Sequence, residues 1–315
     1  MNGLELARGY YEQYGKPMLE GEFADLLPYL AVGLVGSGSE RYGFDDEISR
    51  DHDFEPGFCI FLPGEDTVDR RQAFLLERAY AKLPKEYMGL RRQPVSPVGG
   101  SRSGVLRTAE FYEKAVGAPD GELSLDAWLH IPDYALAEAT NGEVYFDNCG
   151  EFSRIREKLS AMPEDVKRKR LAGNLLLMAQ AGQYNFTRCM KHGEPEAAQL
   201  ACMSFVTAAL KVIFLLHERY MPYYKWSFRA LRSLPGCEPL AAQLALLLWG
   251  DNREEACARE KYVTIEEIAS EVISMLQIQD LTHAVCGDLE KHAYSVNDTI
   301  TDAAIRNLHI LTAIE

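Results

Sequence analysis

The sequence predicts an α+β protein with a mixed N-terminal domain, about residues 1–150, and an all-helical C-terminal domain, residues 151–315. Two observations lead to this prediction. Up to about residue 150, short apolar runs closed by glycine or proline alternate with segments of helical spacing, as strands and helices do. Beyond that point the strand signals stop, and the apolar segments repeat with the period of a helix. A length of 315 residues is also about that of two domains.

The N-terminal elements follow from local patterns. Residues 4–14 and 21–30 have helical spacing, whereas AVGLVG (31–36) and FCIFLP (58–63) are apolar runs that predict strands. The segment VLRTAEFYEKAVG (105–117) predicts a short strand that runs into a helix.

The segment TVDRRQAFLLERAYAKLP (67–84) predicts a helix, with Thr67 placed to cap it. Four apolar residues of this segment are expected on its buried face: Phe74, Leu75, Ala79 and Leu83. The next residues, up to about 104, are rich in proline, glycine and serine and predict a connecting loop.

The C-terminal half predicts helices throughout. One begins at Pro163 with two acids in its first turn and stops near Gly193, as helices commonly do. The other predicted helices are 195–220, 225–234, 238–250, 264–278 and 297–314. Residues 197–220 approach the length of a membrane span, but they include Gln199 and Lys211 and many alanines, so a buried helix is the favoured interpretation.

Composition narrows the class of function. The formal charge of −14 argues against a protein that coats nucleic acid through bulk electrostatics, although a local basic pocket stays possible. Seven cysteines without CxxC pairing fit a reduced cytoplasmic compartment, and no signal peptide is expected from the N-terminus.

The stretch GLVGSGSERYGFDDEISRDHDF, residues 33–54, contains the candidate site. Its first half predicts a short strand, then a Gly-Ser turn, then a helix that starts at or soon after Ser39. Backbone amides in such a turn favour a phosphate, as does a helix N-terminus. Gly36 lets the backbone approach closely, and the Ser37 hydroxyl can donate to a phosphate oxygen. The stretch is neither a P-loop nor a Rossmann fingerprint, because it lacks both GK[ST] and GxGxxG.

The second half places Asp51 and Asp53 two residues apart, just before the apolar run at 58–63. Residues two apart on a strand point to the same face. Two carboxylates on one face suit Mg²⁺, which completes its coordination with water and substrate phosphates. Most aspartate pairs of this kind lie in solvated turns, but the combination with a Gly-Ser turn favours a site.

The pattern GSGSERYGFDDEISRDHDF resembles the signature of the DNA polymerase beta-like nucleotidyltransferases, a Gly-Ser turn followed by two acids that alternate on a strand. The form ending in SRDHDF is similar to an uncharacterised bacterial branch of that superfamily. That branch also resembles this chain at GEVYFDNCGEF (142–152), MPEDVKRKRLA (162–172) and ERYMPYYKW (218–226). The resemblance covers about residues 30–235, and the two-domain layout resembles aminoglycoside nucleotidyltransferases such as the kanamycin enzyme.

The resemblance implies a small mixed sheet flanked by helices, with a helical domain that closes the active-site cleft. It implies that Asp51 and Asp53 bind Mg²⁺ and act in catalysis. The residues implied for the NTP are Gly36, Ser37, Ser39, Tyr224 and Lys225. A lysine near the phosphates would neutralise charge on the pyrophosphate leaving group. Without the resemblance, YYKW is better interpreted as an aromatic cluster in the core with Lys225 reaching solvent.

The sequence departs from the superfamily pattern at two points. The residue between the aspartates is usually apolar and here is His52, which we interpret as hydrogen-bonded to a neighbouring carbonyl rather than as a metal ligand. The third carboxylate of the pattern is not evident, and Arg107 stands where we would expect it. The candidates are Glu55, Glu110, Asp126 and Asp147. Asp147 is either a general base for an acceptor hydroxyl or a loop carboxylate that binds turn amides.

The basic run KRKR, residues 167–170, is expected to be a solvated helix surface, with guidance of an anionic acceptor such as tRNA as the alternative. Arg188 and Lys191, near a helix break, are weaker candidates to face the cleft.

The sequence therefore predicts a cytoplasmic, Mg²⁺-dependent nucleotidyltransferase that moves an NMP group from an NTP, with ATP expected, onto an unknown acceptor. A small molecule is favoured over tRNA or protein as acceptor, because an acidic surface suits cationic aminoglycosides. No membrane partner is expected, and the chain is a monomer or a homodimer. The alternatives are a catalytically silent nucleotide-binding or interaction protein that retains the fold, and a purely structural helical scaffold.

Overall fold

The computed structural model describes residues 2–46, 55–92 and 102–314 of the 315-residue chain. The protein is α+β, with a small mixed sheet and a helical C-terminal region, as the sequence predicts. It divides into two compact units. The first comprises Met1–Leu123 and Ala135–Ala161, and the second comprises Ser124–Tyr134 and Met162–Glu315.

The strands of the described residues all lie in the first unit. They are β1 Ala31–Leu34, β2 Cys59–Leu62, β3 Glu86–Tyr87, β4 Leu90–Arg91, β5 Gly104–Arg107 and β6 Glu143–Asp147. The main sheet has the order β5-β2-β1-β6, and β3 and β4 form a separate pair. β1 is antiparallel to both of its neighbours, while β2 and β5 are parallel. The predicted apolar runs at 31–36 and 58–63 and the strand signal at 105 are thereby confirmed as β1, β2 and β5.

The helices of the described residues connect and surround these strands and fill the second unit. In chain order they are α1 Gly3–Tyr10, α2 Lys16–Glu22, α3 Ser39–Tyr42, α4 Arg70–Lys82, α5 Thr108–Val116, α6 Leu125–His130, α7 Asp133–Thr140, α8 Glu151–Ser160, α9 Glu164–Met178, α10 Thr187–Lys191, α11 Pro195–Leu216, α12 Tyr224–Ser233, α13 Glu238–Trp249, α14 Glu255–Ile278, α15 Leu289–Asp298 and α16 Ala303–Arg306. Two π-helical segments, Tyr11–Gly15 and Ala179–Phe186, continue α1 and α9.

The core of the first unit forms on the buried strands. Every residue of β1 and β2 is buried, because both strands lie in the middle of the sheet. The aromatic rings of α1 and the π-helical segment after it pack there. The Tyr10 ring lies 6.0 Å from the Phe58 ring, and the Tyr11 ring lies 5.3 Å from it.

The predicted helix at 67–84 is confirmed as α4, but its predicted cap is wrong. The helix begins at Arg70, and Asp69 caps it by accepting a hydrogen bond from the Gln72 amide at 2.8 Å. The Gln72 side chain returns a bond from the Asp69 amide at 2.9 Å, which completes a capping box. Thr67 therefore precedes the cap by two residues.

The predicted buried face of α4 is also partly wrong. Phe74 and Leu75 are 55% and 46% exposed, whereas Leu76 and Tyr80 are buried. The reason is a polar anchor: the Tyr80 hydroxyl donates to the Phe58 carbonyl at 2.8 Å and accepts from the Phe58 amide at 3.1 Å. This contact turns Tyr80 inward, and Leu76, one turn earlier, follows it.

Two other predicted helices are shorter than expected. Within residues 21–30 only the end of α2 and a 3₁₀ turn at Leu27–Tyr29 are helical. Pro28 lacks an N–H and restricts the residue before it, which disfavours a regular helix there.

The predicted last helix at 297–314 contains only the end of α15 and the four residues of α16. The break between them is held by Asp165, whose carboxylate accepts from the Thr301 and Asp302 amides at 3.1 and 2.8 Å. Asp302 then caps α16 by accepting from the Ala304 amide at 2.7 Å.

The predicted helix at 163–193 is confirmed as α9, the π-helical segment that follows it and α10. Gly193 has a φ of 74° just past its end. The apolar segment that follows is α11, which is long and apolar enough to cross a membrane, yet 67% of its most apolar window is buried inside the protein. This burial agrees with the predicted core helix.

Candidate functional site

The Gly-Ser turn follows β1 directly, and α3 begins at Ser39 as predicted. Gly36 has a φ of 106° and Gly38 a φ of 131°, conformations that residues with a Cβ rarely adopt. The two glycines therefore let the chain reverse between β1 and α3. Ser37, between them, is exposed.

Gly36 itself is buried, and both of its backbone polar groups are engaged. Its amide donates to Asn141 Oδ1 at 2.9 Å, and its carbonyl accepts from Asn141 Nδ2 at 2.7 Å. The amide groups that are left to bind a phosphate are those of Ser37, Gly38 and Ser39, which have no acceptor among the described residues. Gly36 thus contributes the shape of the turn, and the adjacent residues provide the donors.

Arg41 stabilises the Gly-Ser turn through hydrogen bonds made by its buried side chain. Its side chain is buried, and its Nε donates to the Val35 carbonyl at 2.8 Å. One Nη donates to the Arg102 carbonyl at 2.6 Å, while the other pairs with Glu40. Burial lowers the pKa of Arg41, and the cation is retained because the pKa of a free guanidinium is so high.

The strand register shows which edge of the sheet the turn occupies. Gly33 faces Cys59, the first residue of β2, and Cys59 faces Gly104, the first residue of β5. Leu34 faces Glu143, the first residue of β6. The turn therefore lies at the edge where β2, β5 and β6 all begin.

Asp51 and Asp53, the predicted metal ligands, and His52 between them lie outside the described residues. In the sequence they precede β2, which begins at the edge occupied by the Gly-Ser turn. Among the described residues no group of three or more His, Cys, Asp or Glu side chains is arranged to hold a metal ion. Carboxylates of the Asp51 and Asp53 pair have the hard oxygen donors that Mg²⁺ prefers.

Asp147 lies at the opposite edge of the sheet. It faces Ala31, so the length of β1, about 10 Å, separates it from the Gly-Ser turn. Its Oδ1 accepts from the Gly150 amide at 2.9 Å, and its Oδ2 accepts from the Ser153 amide at 2.7 Å. These contacts at the start of α8 are the ones expected if Asp147 is a loop carboxylate that binds turn amides. Its role as a general base stays a prediction.

The other candidates for a third carboxylate are dispersed. Glu55 lies in the irregular segment before β2, and Glu110 is exposed in the first turn of α5. Asp126 belongs to the second unit and lies 3.3 Å from His130 on α6. Of these candidates, Glu55 alone lies in the segment that leads directly into a strand beginning at the edge occupied by the Gly-Ser turn.

Arg107, the residue found where the third acid was expected, faces Leu62 at the far end of β2. Its Nη1 donates to the Pro63 and Val68 carbonyls at 2.6 and 2.7 Å. These bonds join β5 to the connection that follows β2, so the side-chain contacts of Arg107 stabilise the fold.

Tyr224 and Lys225 begin α12 in the second unit. Tyr224 is 72% exposed, and its ring lies 4.6 Å from the Tyr223 ring, which itself contacts Tyr134 at 5.7 Å. The Lys225 ammonium lies 5.3 Å from the centre of the Trp226 ring. The alternative of a core aromatic cluster is therefore wrong for Tyr224, which lies at the surface with Lys225.

The basic run at 167–170 is not the solvated surface that was expected. Lys169 is fully buried and donates to Asn297 Oδ1 at 2.9 Å, and Arg170 is buried with its Nη1 3.2 Å from Asp133. The run crosses the buried face of α9, so half of its charges form internal contacts that hold the second unit together. Arg188, further along, has its Nη1 3.1 Å from the Tyr184 hydroxyl on the surface.

Sequence reasoning missed two residues of this site. Arg41 stands inside the quoted motif, yet nothing in its neighbours shows that it is buried. Asn141 precedes a glycine, a pairing typical of turns, and its partner Gly36 lies 105 residues away. A local pattern carries no information about such a contact.

Comparison with known proteins gives one match. Residues 128–227 match the model of a family described as a domain of unknown function (DUF4037). The matched segment contains Tyr224 and Lys225 but not the Gly-Ser turn or the Asp51 and Asp53 pair. No curated protein matches the chain, and no solved structure matches it.

Proposed function

We propose that the chain is a Mg²⁺-dependent nucleotidyltransferase that moves an NMP group from an NTP, with ATP as the first choice, to an acceptor. The acceptor oxygen would attack the α-phosphorus and lose its proton, while the bond from phosphorus to the pyrophosphate oxygen breaks. The observation that supports this best is the Gly-Ser turn. It presents an exposed Ser37 and three amides without acceptors among the described residues, at the edge where β2 begins.

Each residue has a proposed role. Ser37 and Ser39 would donate to the triphosphate, and Gly36 would set the shape of the turn. Asp51 and Asp53 would hold Mg²⁺, which supplies charge neutralisation at the phosphates when it is bound. For Tyr224 and Lys225 the role in binding the triphosphate stays a prediction, and both side chains are exposed.

The acceptor is proposed as a cationic small molecule of aminoglycoside type, ahead of tRNA or protein. The formal charge of −14 supports a cationic partner and disfavours a polyanion. All seven cysteines are free thiols, which agrees with a cytoplasmic location. We propose a monomer or homodimer and no membrane partner.

Isothermal titration with ATP and Mg²⁺ tests the proposal. The wild-type chain is expected to bind ATP only when Mg²⁺ is present, and Asp51→Ala with Asp53→Ala is expected to abolish this Mg²⁺-dependent binding. The matched control is Glu22→Ala with Asp25→Ala, which removes two exposed carboxylates from the same unit and leaves binding intact. Binding that ignores Mg²⁺, or that survives loss of Asp51 and Asp53, would contradict the proposed metal site.

The second candidate is a catalytically silent nucleotide-binding protein. It is favoured by the contacts of Asp147, whose two carboxylate oxygens accept from backbone amides at the other edge of the sheet. Incubation with α-labelled ATP, Mg²⁺ and cell extract separates the two. Label transferred to any acceptor supports the enzyme, and Mg²⁺-dependent binding without transfer supports the silent protein.

A further inference from the structure

Asn141 makes a complete amide pair with Gly36. The Gly36 amide donates to Oδ1 at 2.9 Å, and Nδ2 donates to the Gly36 carbonyl at 2.7 Å. Only an asparagine or glutamine side chain offers a donor and an acceptor side by side in this way. The pair leaves neither backbone group of the buried Gly36 unsatisfied.

The pair continues the strand ladder in its own register. Along β1 and β6, Gly33 faces Val144 and Leu34 faces Glu143. Two further steps of the same antiparallel register bring Gly36 opposite Asn141. The backbone cannot continue the ladder, because Gly142 has a φ of 70° and the chain turns there. The Asn141 side chain takes the place of the missing strand backbone.

We infer that Asn141 is the positioning residue of the phosphate-binding turn, an assignment that rests on the proposed function. By engaging both groups of Gly36, it ends the sheet at that residue. The amides of Ser37, Gly38 and Ser39 then lie beyond the last ladder bond, without acceptors among the described residues. Without Asn141, Gly36 would lose its fixed partner, and the turn would sample conformations in which those donors do not converge.

The first measurement is amide hydrogen exchange at Gly36 in the ligand-free protein. Asn141→Ala removes its acceptor and is expected to raise exchange by about tenfold, whereas Asn141→Asp retains an acceptor oxygen and protects the amide. Asn148→Ala is the matched control. It removes a side-chain amide that donates to the Leu27 carbonyl at 2.8 Å beyond the other end of β6, and it leaves exchange at Gly36 unchanged. Equal exchange in wild type and Asn141→Ala would overturn the inference.

The second measurement is the affinity for ATP with Mg²⁺ and for tripolyphosphate with Mg²⁺, a probe that has no base or sugar. Asn141→Ala is expected to weaken both by about tenfold, while Asn148→Ala weakens neither. A general loss of stability would not weaken phosphate binding in Asn141→Ala while leaving it unchanged in Asn148→Ala. Thermal melts check that both variants are folded.

The outcomes separate the two proposals. Normal affinity in Asn141→Ala, with Mg²⁺-dependent ATP binding in the wild type, overturns the positioning role alone. A wild-type chain that binds neither probe overturns the proposed function and the positioning role with it. If Asn141→Ala fails to fold, Asn141→Asp is the deciding variant. Its remaining acceptor oxygen is expected to protect the Gly36 amide from exchange. Because it loses the bond to the Gly36 carbonyl, it is still expected to bind tripolyphosphate more weakly than the wild type. Unchanged affinity in Asn141→Asp overturns the inference.

Discussion

Arg41 holds its positive charge inside the first unit, where only 2% of the residue is exposed. A guanidinium presents five donors in a fixed fork, so it can satisfy carbonyls from two segments of the chain at once. Here those carbonyls belong to Val35, after β1, and to Arg102, before β5. The residue thereby links the Gly-Ser turn to the strand on the other side of β2.

Arg41→Ala is expected to lower the free energy of unfolding by about 2–4 kcal/mol, because it removes the guanidinium donor from the buried Val35 carbonyl and leaves Glu40 without this ion-pair partner. Arg41→Lys keeps the charge but not the fork, and should fall between the wild type and Arg41→Ala. Urea denaturation measures these differences. Arg70→Ala removes an exposed arginine paired with Glu65 and serves as the control with little effect. A loss for Arg41→Ala no greater than that of the control would show that the buried fork does not stabilise the fold.

Asp147 is expected to hold the start of α8 rather than to act as a catalytic base, because both of its oxygens accept from amides there and the residue lies at the edge remote from the Gly-Ser turn. Asp147→Asn should lower the free energy of unfolding by about 0.5–2 kcal/mol through loss of one acceptor and of the charge at a helix N-terminus. The transfer of label from ATP should persist near the wild-type rate.

Thermal or urea denaturation gives the stability change, and the labelled-ATP assay gives the rate. Asp120→Asn, which alters a carboxylate bound to the Glu122 amide in another turn of the same unit, is the matched variant. Folded Asp147→Asn that binds ATP with Mg²⁺ but transfers no label would restore the general-base role.

At the scale of the element, the sequence predicted those features whose cause is local. β1 and β2 are apolar runs bounded by glycine and proline, and they are strands. α9 and its continuation start after Pro163 and stop near Gly193, as the end signals indicate. The cap of α4 also depends on local sequence. However, aspartate and threonine are both common capping residues, and only the bond to the Gln72 amide shows that Asp69 rather than Thr67 is the cap.

Features that depend on distant contacts were not predicted. The charges of Lys169 and Arg170 suggested a surface, yet both are buried because acceptors from α15 and α7 meet them. The inward turn of Tyr80 depends on Phe58, which belongs to another segment. For the candidate site, the sequence indicated Ser37 and the turn around it but missed Asn141, whose partner Gly36 is 105 residues away along the chain.

Asp165 joins the start of α9 to the turn between α15 and α16. Burial acts to raise its pKa, but hydrogen bonds from Thr301 and from the Asp302 amide outweigh it, so the pKa of Asp165 is lowered. A carboxyl whose pKa is depressed in the folded state adds stability above its unfolded pKa, about 3.9 for aspartate, and loses it as the pH falls through the lower folded value.

We therefore expect the free energy of unfolding of Asp165→Asn to be lower than that of the wild type at neutral pH. Below about pH 4 it should fall less steeply as the pH is lowered. Urea denaturation from neutral to acidic pH measures this slope. Asp298→Asn removes an exposed carboxylate from α15 in the same unit and is the control, with the slope of the wild type. An acid slope in Asp165→Asn as steep as that of the wild type would contradict the assigned linkage.

At the scale of the whole molecule, charge is the property that bears on partners. The chain has 47 acidic and 33 basic residues, and some of the basic ones, such as Lys169 and Arg170, are buried. The surface that a diffusing partner meets is correspondingly acidic. Such a surface attracts cations over distances set by the screening length and repels the backbone of a nucleic acid.

If the acceptor is a cationic amino sugar, its capture should depend on salt. Raising NaCl from about 0.05 to about 0.5 M shortens the screening length from roughly 14 to roughly 4 Å, which removes most long-range attraction. We expect label transfer from ATP to an aminoglycoside to slow through a higher KM for the aminoglycoside, with kcat little changed, because steering acts on the encounter and not on the chemistry. A neutral sugar tested as acceptor controls for salt effects on the reaction itself, since any transfer to it should lack this KM dependence. Transfer to tRNA in preference to the aminoglycoside, or a KM for the aminoglycoside that ignores salt, would contradict the proposed acceptor class.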